Sequence, residues 1–298
     1  MFGVKPTIYE RISGNKRMSI FLIFIFLVFV GFLSFVFYLI FENIFVMFIV
    51  FVFGALFTVA QYYAGTSELL TIVQAYPSNN KILNSIVEQL AIGSGIPVPE
   101  VYIIPDKTIN AFASGRDPQH AVIAVTEGAL EKLNKEELEG VVAHEISHIK
   151  NYDIRVMMIA AVLVAITVMI SQILLRSFLY GRVGGNGNRK EGGLFIVLVV
   201  FAILLAIFSP LIARIIQYAV SRKREYLADS DAAMLTKNPE GLANALKKIK
   251  LDVEKPNYVA NQGMAHLFIS NPLKEGFWSN LFSTHPPIDE RIKILETM

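Results

Sequence analysis

The sequence predicts a multi-pass α-helical membrane protein that carries an α+β domain with a metal-binding helix. Three observations predict it. Of the 298 residues, 54% are apolar and only 17% charged, whereas soluble domains are nearer a quarter charged. Four runs contain no Asp, Glu, Lys or Arg: Met18 to Phe41, Ile44 to Ala64, Val156 to Leu175 and Leu194 to Ala213. The stretch "HEISH", His144 to His148, sets two histidines and a glutamate at metal-site spacing.

Each run has about 20 residues or slightly more, the length an α-helix needs to cross roughly 30 Å of hydrocarbon. The first is too long for the apolar part of a cleavable signal, and no A-x-A-like site follows it. The order is then a segment 1–17, a transmembrane hairpin 18–64, a polar part 65–155, a second hairpin 156–213 and a second polar part 214–298. Lys5, Arg11, Lys16 and Arg17 precede the first run, while the Glu42-Asn43 turn has no basic residue. Basic residues collect on the cytoplasmic side. The N-terminus and both polar parts are therefore expected on the cytoplasmic side of the plasma membrane. The basic loop Arg176 to Lys190 opposes this arrangement, and the first hairpin is taken to set the topology. Four spans put both polar parts on one side, where together they can bury a core of ordinary size.

In the first polar part, "KILNSIVEQLAIGSGI" reads as an amphipathic helix closed by Gly93 and Gly95. Val101 to Ile104, Ile109 to Gly115 and Ala121 to Val125 read as short strands, with "GRDPQ" as a turn. Asn134 and Glu137 form a capping-box signature for the helix that carries HEISH. That helix is expected to run almost directly into the third apolar run. The second polar part reads as mostly helical, interrupted by "NPLKEGFWSN" and "THPP". The glycine-rich Gly181 to Gly193 lacks the Lys-Ser/Thr of a phosphate cradle and reads as a flexible loop.

His144 and His148 are four apart, so a helix projects both imidazoles from one face. Such a pair can hold Zn²⁺, and Glu145 beside them can serve as general base. Gly140, Ala143 and Ser147 are small and are expected to leave room for the metal. A catalytic zinc needs a third protein ligand. The chain has no cysteine and five histidines, so Glu225 is the best carboxylate candidate, with Asp229 one turn on as acceptor for a ligand imidazole N–H. Spacing alone leaves Glu225 and Asp229 equally readable as a solvated face, since Arg222, Lys223 and Arg224 flank them. His266 reads as a packing residue and His120 as an exposed turn residue. The net charge of +2 carries no nucleic-acid signature.

HEISH, "REYLAD", "NAF" and "HPPIDER" occur in a set order around two apolar hairpins. Taken together they resemble the HtpX family of membrane zinc metalloproteases, relatives of the CAAX prenyl endopeptidases. The resemblance implies a zincin-like (gluzincin) metalloprotease domain with one Zn²⁺ per subunit, held by His144, His148 and Glu225. It implies Glu145 as the catalytic glutamate and Asp229 as the carboxylate behind the metal. Asn110 and His285 would contact the substrate backbone and the oxyanion, and Arg291 would support the site. The expected partners are polypeptides, chiefly misfolded membrane proteins, and the lipid bilayer. A transporter is disfavoured because the four runs carry no ionisable residue. A catalytically idle scaffold would not need an intact Glu145. A narrow CAAX-type endopeptidase would need more helices to enclose a lipidated tail.

Overall fold

The computed structural model describes residues 8–161, 222–252, 268–269 and 286–298. The fourth apolar run, the basic loop, His266 and His285 lie outside the described residues, as does the third run beyond residue 161.

The first two runs form an α-helical hairpin, α1 (Ile8–Phe41) and α2 (Ile44–Ile72). Glu42, at a left-handed φ of 50°, makes the reversal with Asn43, whose side chain caps α2 by accepting from the Phe45 N–H. Gly54 lets the helices close up, because a Cβ there would meet Val30 Cγ1 at 2.6 Å. Both helices are long and apolar enough to cross a membrane. Phe45 and Phe53 of α2 are more than 70% exposed, which suits lipid contact and not water.

Both helices overrun their apolar runs. At 1.5 Å per residue the 34 residues of α1 span about 51 Å, well beyond a bilayer core. The overhangs dock on the polar domain. Leu69 and Leu70 of α2 are buried with Ile104, Phe112 and Val122 of the sheet. Thr66 Oγ1 lies 3.2 Å from Ser114 Oγ.

The polar domain starts with a short strand, β1 (Tyr76–Pro77), and α3 (Lys81–Ser94). Gly95, at φ +71°, ends α3 in the left-handed cap that glycine favours, whereas Gly93 lies inside the helix. Strands β2 (Glu100–Ile104), β3 (Ala111–Gly115) and β4 (Ala121–Thr126) complete a sheet of order β1-β2-β4-β3. β2 and β4 are parallel, with Glu100 opposite Val122, and β3 is antiparallel to β4, with Ala113 opposite Ile123. β3 and β1 are the two edge strands of the four. Phe268 bridges the outer side of β3 at Phe112, and the Ile269 N–H donates to the Ala111 carbonyl at 3.0 Å.

After α4 (Glu127–Lys132), α5 (Lys135–Lys150) runs through the centre of the domain and is almost wholly buried from Glu137 onward. Its capping box is complete. Asn134 Oδ1 accepts from the Glu137 N–H at 2.9 Å, and Glu137 Oε2 accepts from the Asn134 N–H at 2.8 Å. The passage into the next helix is almost direct, through a two-residue turn. Asn151 caps α5, Tyr152 takes a left-handed φ of 61°, and α6 (153–161) then begins. α6 packs on α1 through Val156, Ile159 and Leu22.

From the second polar part come α7 (Arg222–Thr236), α8 (Pro239–Leu251) and α9 (Ile288–Leu295). Their apolar faces share one core with α3, α5 and the sheet, so distant stretches of chain meet around the HEISH helix. Gly140 does not make room for a metal. A Cβ there would meet the Leu242 N at 2.6 Å, so it is the backbone of α8 that needs the space.

Candidate metal centre

α5 and α7 build the site. His144 and His148, one turn apart, point their Nε2 atoms at a common point, 3.2 Å from each other. Glu225, from the first turn of α7, brings Oε2 to 3.6 Å from His144 Nε2 and Oε1 to 3.5 Å from His148 Nε2. All three side chains are buried.

Carboxylates behind the rings decide the tautomer. His144 Nδ1 lies 3.0 Å from Asp229 Oδ1, and His148 Nδ1 lies 3.1 Å from Asp153 Oδ2. Each Nδ1–H donates to its carboxylate, which leaves each Nε2 with a lone pair when the ring is neutral. Two lone pairs and a carboxylate then converge with no donor among them, an arrangement that a cation relieves. Ligands about 2.0–2.1 Å from a tetrahedral zinc stand roughly 3.4 Å apart. The observed 3.2–3.6 Å separations fit that donor set.

The electrostatics follow from burial and pairing. Burial pushes His144 down, but its hydrogen bonds to Asp229 and Glu225 outweigh that and hold it at about 9 without metal. Burial raises Asp229, yet the Arg291 charge and the bonds from His144 and Arg291 hold it below the usual carboxylate range. Arg291, on α9, makes a fork: Nε donates to Asp229 Oδ2 at 2.9 Å and Nη2 to Oδ1 at 2.7 Å. Its Nη1 lies 3.7 Å from Glu225 Oε2. Burial is also the main effect on Glu145 and lifts it, while the charges of His144 and His148 hold it down. The Ala113 N–H of β3 acts on the Glu145 carboxylate in the same lowering sense, which ties the edge strand to the candidate base.

The structure thus brings together His144, Glu145, His148, Glu225, Asp229 and Arg291. Asn110 is buried at the entry to β3, where Oδ1 accepts from the Ala111 N–H at 3.0 Å and its backbone pairs with Thr126. His120 is half exposed and pairs with Asp117 at 2.7 Å. Asp153 is a site residue that the sequence reading missed. Its signal was its place five residues after His148, hidden because it falls beyond the turn at the end of α5.

The family model described as peptidase family M48 matches residues 77–298. A protease HtpX homolog of Dictyoglomus turgidum is 42% identical over 99% of this chain and 96% of its own. One from Caldanaerobacter subterraneus is 40% identical over 99% of both chains. One from Streptococcus pyogenes is 39% identical over 98% of this chain and all of its own. Among solved structures, the crystal structure of Ste24p from S. mikatae aligns with a TM-score of 0.50 at 20% identity. It covers 89% of this chain, which spans 62% of Ste24p's length, and the likeness is one of fold.

Proposed function

The chain belongs to peptidase family M48, among its HtpX-type proteases, and from that premise we propose a multi-pass, zinc-dependent endopeptidase of the plasma membrane. As a membrane metalloprotease of this family it hydrolyses peptide bonds in polypeptides. The finer reading is ours. The two polar parts, 65–155 and 214–298, make one catalytic domain on the cytoplasmic side, interrupted by the second hairpin. One observation carries the metal: the convergence of His144 Nε2, His148 Nε2 and a Glu225 carboxylate oxygen within 4.8 Å of one another.

Zinc, when held by His144, His148 and Glu225, supplies a Lewis acid for the scissile carbonyl and lowers the pKa of water. Asp229 and Asp153 keep the two rings turned with Nε2 inward. Glu145 takes the proton of the attacking water and delivers it to the leaving amine. Its raised pKa suits the second of those roles, because burial favours the protonated form that donates. His285 donates to the developing oxyanion and Asn110 to the substrate backbone, as the family resemblance implies. Arg291 keeps Asp229 ionised and in place.

An extended peptide can pair with β3, the strand whose Ala113 N–H acts on Glu145, beyond the Phe268–Ile269 contact that already occupies its outer side at Ala111 and Phe112. Main-chain pairing reads few side chains and so makes recognition broad. A metal centre joined to an apolar hairpin by the overhangs of α1 and α2 would sit where membrane-protein segments emerge from the bilayer. Both features suit quality control of misfolded membrane proteins.

The test is cleavage of an unfolded model protein by the full chain in detergent with zinc. Glu145→Gln is expected to lower the rate at least about a hundredfold, the lower range for general acid–base catalysis, while zinc stays bound. Equal cleavage by both proteins would sink the role given to Glu145.

A further inference from the structure

Asn15 sits on α1, three residues before the apolar run, and is buried. Its Nδ2 carries two hydrogens and the structure uses both. One goes to the Asn151 carbonyl and one to Asp153 Oδ1, each at 2.8 Å. The other oxygen of Asp153, Oδ2, is the one that faces His148 Nδ1. The next residue of α1, Lys16, lies over the Tyr152 ring at 4.4 Å. α1 therefore touches both residues of the turn between α5 and α6, Asn151 and Tyr152, and the first residue of α6, Asp153. That turn holds Tyr152 at a positive φ, a conformation that persists only where surrounding contacts over-determine it.

The other buried polar side chains of α1 bond back to their own helix, Ser19 to the Asn15 carbonyl and Ser34 to that of Val30. Asn15 reaches across to another element. A buried amide is costly unless partnered, and here the partner is the carboxylate behind a metal ligand.

We propose that Asn15 is a positioning residue of the metal centre. It fixes the plane of the Asp153 carboxylate, which fixes the His148 ring, so the first apolar helix contributes to metal affinity. The inference rests on the reading of His148 as a metal ligand. Without Asn15, Asp153 keeps the Arg224 guanidinium, 3.4 Å from Oδ1, but loses the directional bond that sets its orientation.

The experiment measures the zinc dissociation constant of the full chain in detergent by chelator competition, beside the Tm of the metal-free forms. Asn15→Leu, branched at Cγ in the same way but without a donor, is expected to weaken zinc about 10–100-fold, the usual cost of losing such a supporting group. Asp153→Ala should do the same. The double variant should be no worse than Asp153→Ala alone, because Asn15 acts through that carboxylate. Ser34→Ala should leave zinc affinity unchanged. Should Asn15→Leu fail to fold, Asn15→Asp, of the same shape but repelling Asp153, takes its place in the cycle.

Unchanged zinc affinity in the Asn15 variant, with only its metal-free Tm lowered, would reduce the residue to a helix staple and overturn the proposal. So would losses that add in the double variant. A wild type that holds no zinc, or zinc that ignores His148→Ala, would overturn the metal reading itself.

Discussion

The two imidazoles that face each other across the site are backed in different ways. Behind His144 stands a closed ion pair, Asp229 clasped by the two-toothed fork of Arg291, all three side chains buried. Behind His148 stands Asp153, held by the neutral amide of Asn15 and by Arg224 at 3.4 Å, with Arg224 partly exposed. The first backing is built within the polar domain, from α7 and α9. The second leans on Asn15 of α1, the first of the two long apolar helices, beside Arg224 of α7. A charge–charge clasp in a dry place is strong but brittle, since removing one partner strands the other. An amide clasp strands no ion, so its loss should register in orientation more than in stability.

The largest expected effect tests the brittle side. Arg291→Met leaves the buried Asp229 without its cation and with only the His144 N–H, a change of the kind that costs about 3–5 kcal/mol. For a domain of this size that lowers Tm by roughly 10 °C, read by thermal unfolding in detergent. A Tm within about 2 °C of wild type would show that Asp229 had taken up a proton or another partner, and the contrast would collapse.

Exchanging each carboxylate for its amide sharpens the contrast. Asp229→Asn and Asp153→Asn should each weaken zinc about 10–100-fold, because the ring N–H loses a charged acceptor. They should differ in stability. Asp229→Asn also leaves Arg291 buried with one charge partner fewer, whereas Asp153→Asn leaves only the part-exposed Arg224. Chelator competition and Tm on the same samples separate the two effects. Equal Tm losses would count against the distinction drawn here.

What the sequence made legible follows the same division. Glu225 and Asp229, ambiguous by spacing, were assigned by the family resemblance, whereas HEISH on a capped helix and the three strands are local patterns, and local patterns survive without tertiary context. The multi-strand, helix-rich fold around them was readable for that reason. Asp153 was not, because its meaning depends on a left-handed Tyr152 that turns the chain back beneath His148. Asn15 was read as part of a polar N-terminal segment, since hydropathy marks where a membrane run begins and not where its helix begins. Gly140 was given to the metal, yet which neighbour needs a missing Cβ is settled only by the partner helix.

Metal removal should reveal the protons of both rings through pH, since His148 too is raised, burial being outweighed by its hydrogen bond to Asp153. Without metal, His144 is raised to about 9. A raised histidine contributes stability that is fully present below its unfolded value of about 6.5 and is lost as pH rises through 9. Asp229 is lowered, so its contribution is present above the usual carboxylate range and is lost as pH falls below it. The chelator-treated protein should therefore be most stable between about pH 4.5 and 6.5 and lose Tm steadily toward pH 9. The zinc-loaded protein should lack that alkaline decline, because a ligand ring has already given up its proton. Parallel curves for the two forms would mean that neither ring carries an extra proton.

The smallest expected effect lies at the open end of the second backing. Arg224 Nη1 stands 3.4 Å from Asp153 Oδ1 but makes no hydrogen bond among the described residues, so it offers charge without direction. Asp153 Oδ2, the atom toward His148, is on the far side of the carboxyl group from it. Arg224→Met should therefore change stability by no more than about 1 kcal/mol and zinc affinity by about threefold at most. The amide of Asn15, though uncharged, should outrank it because it is buried, directional and bonded at 2.8 Å. If Arg224→Met weakened zinc more than Asn15→Leu does, charge would hold Asp153 after all, and the two sides of the centre would be alike.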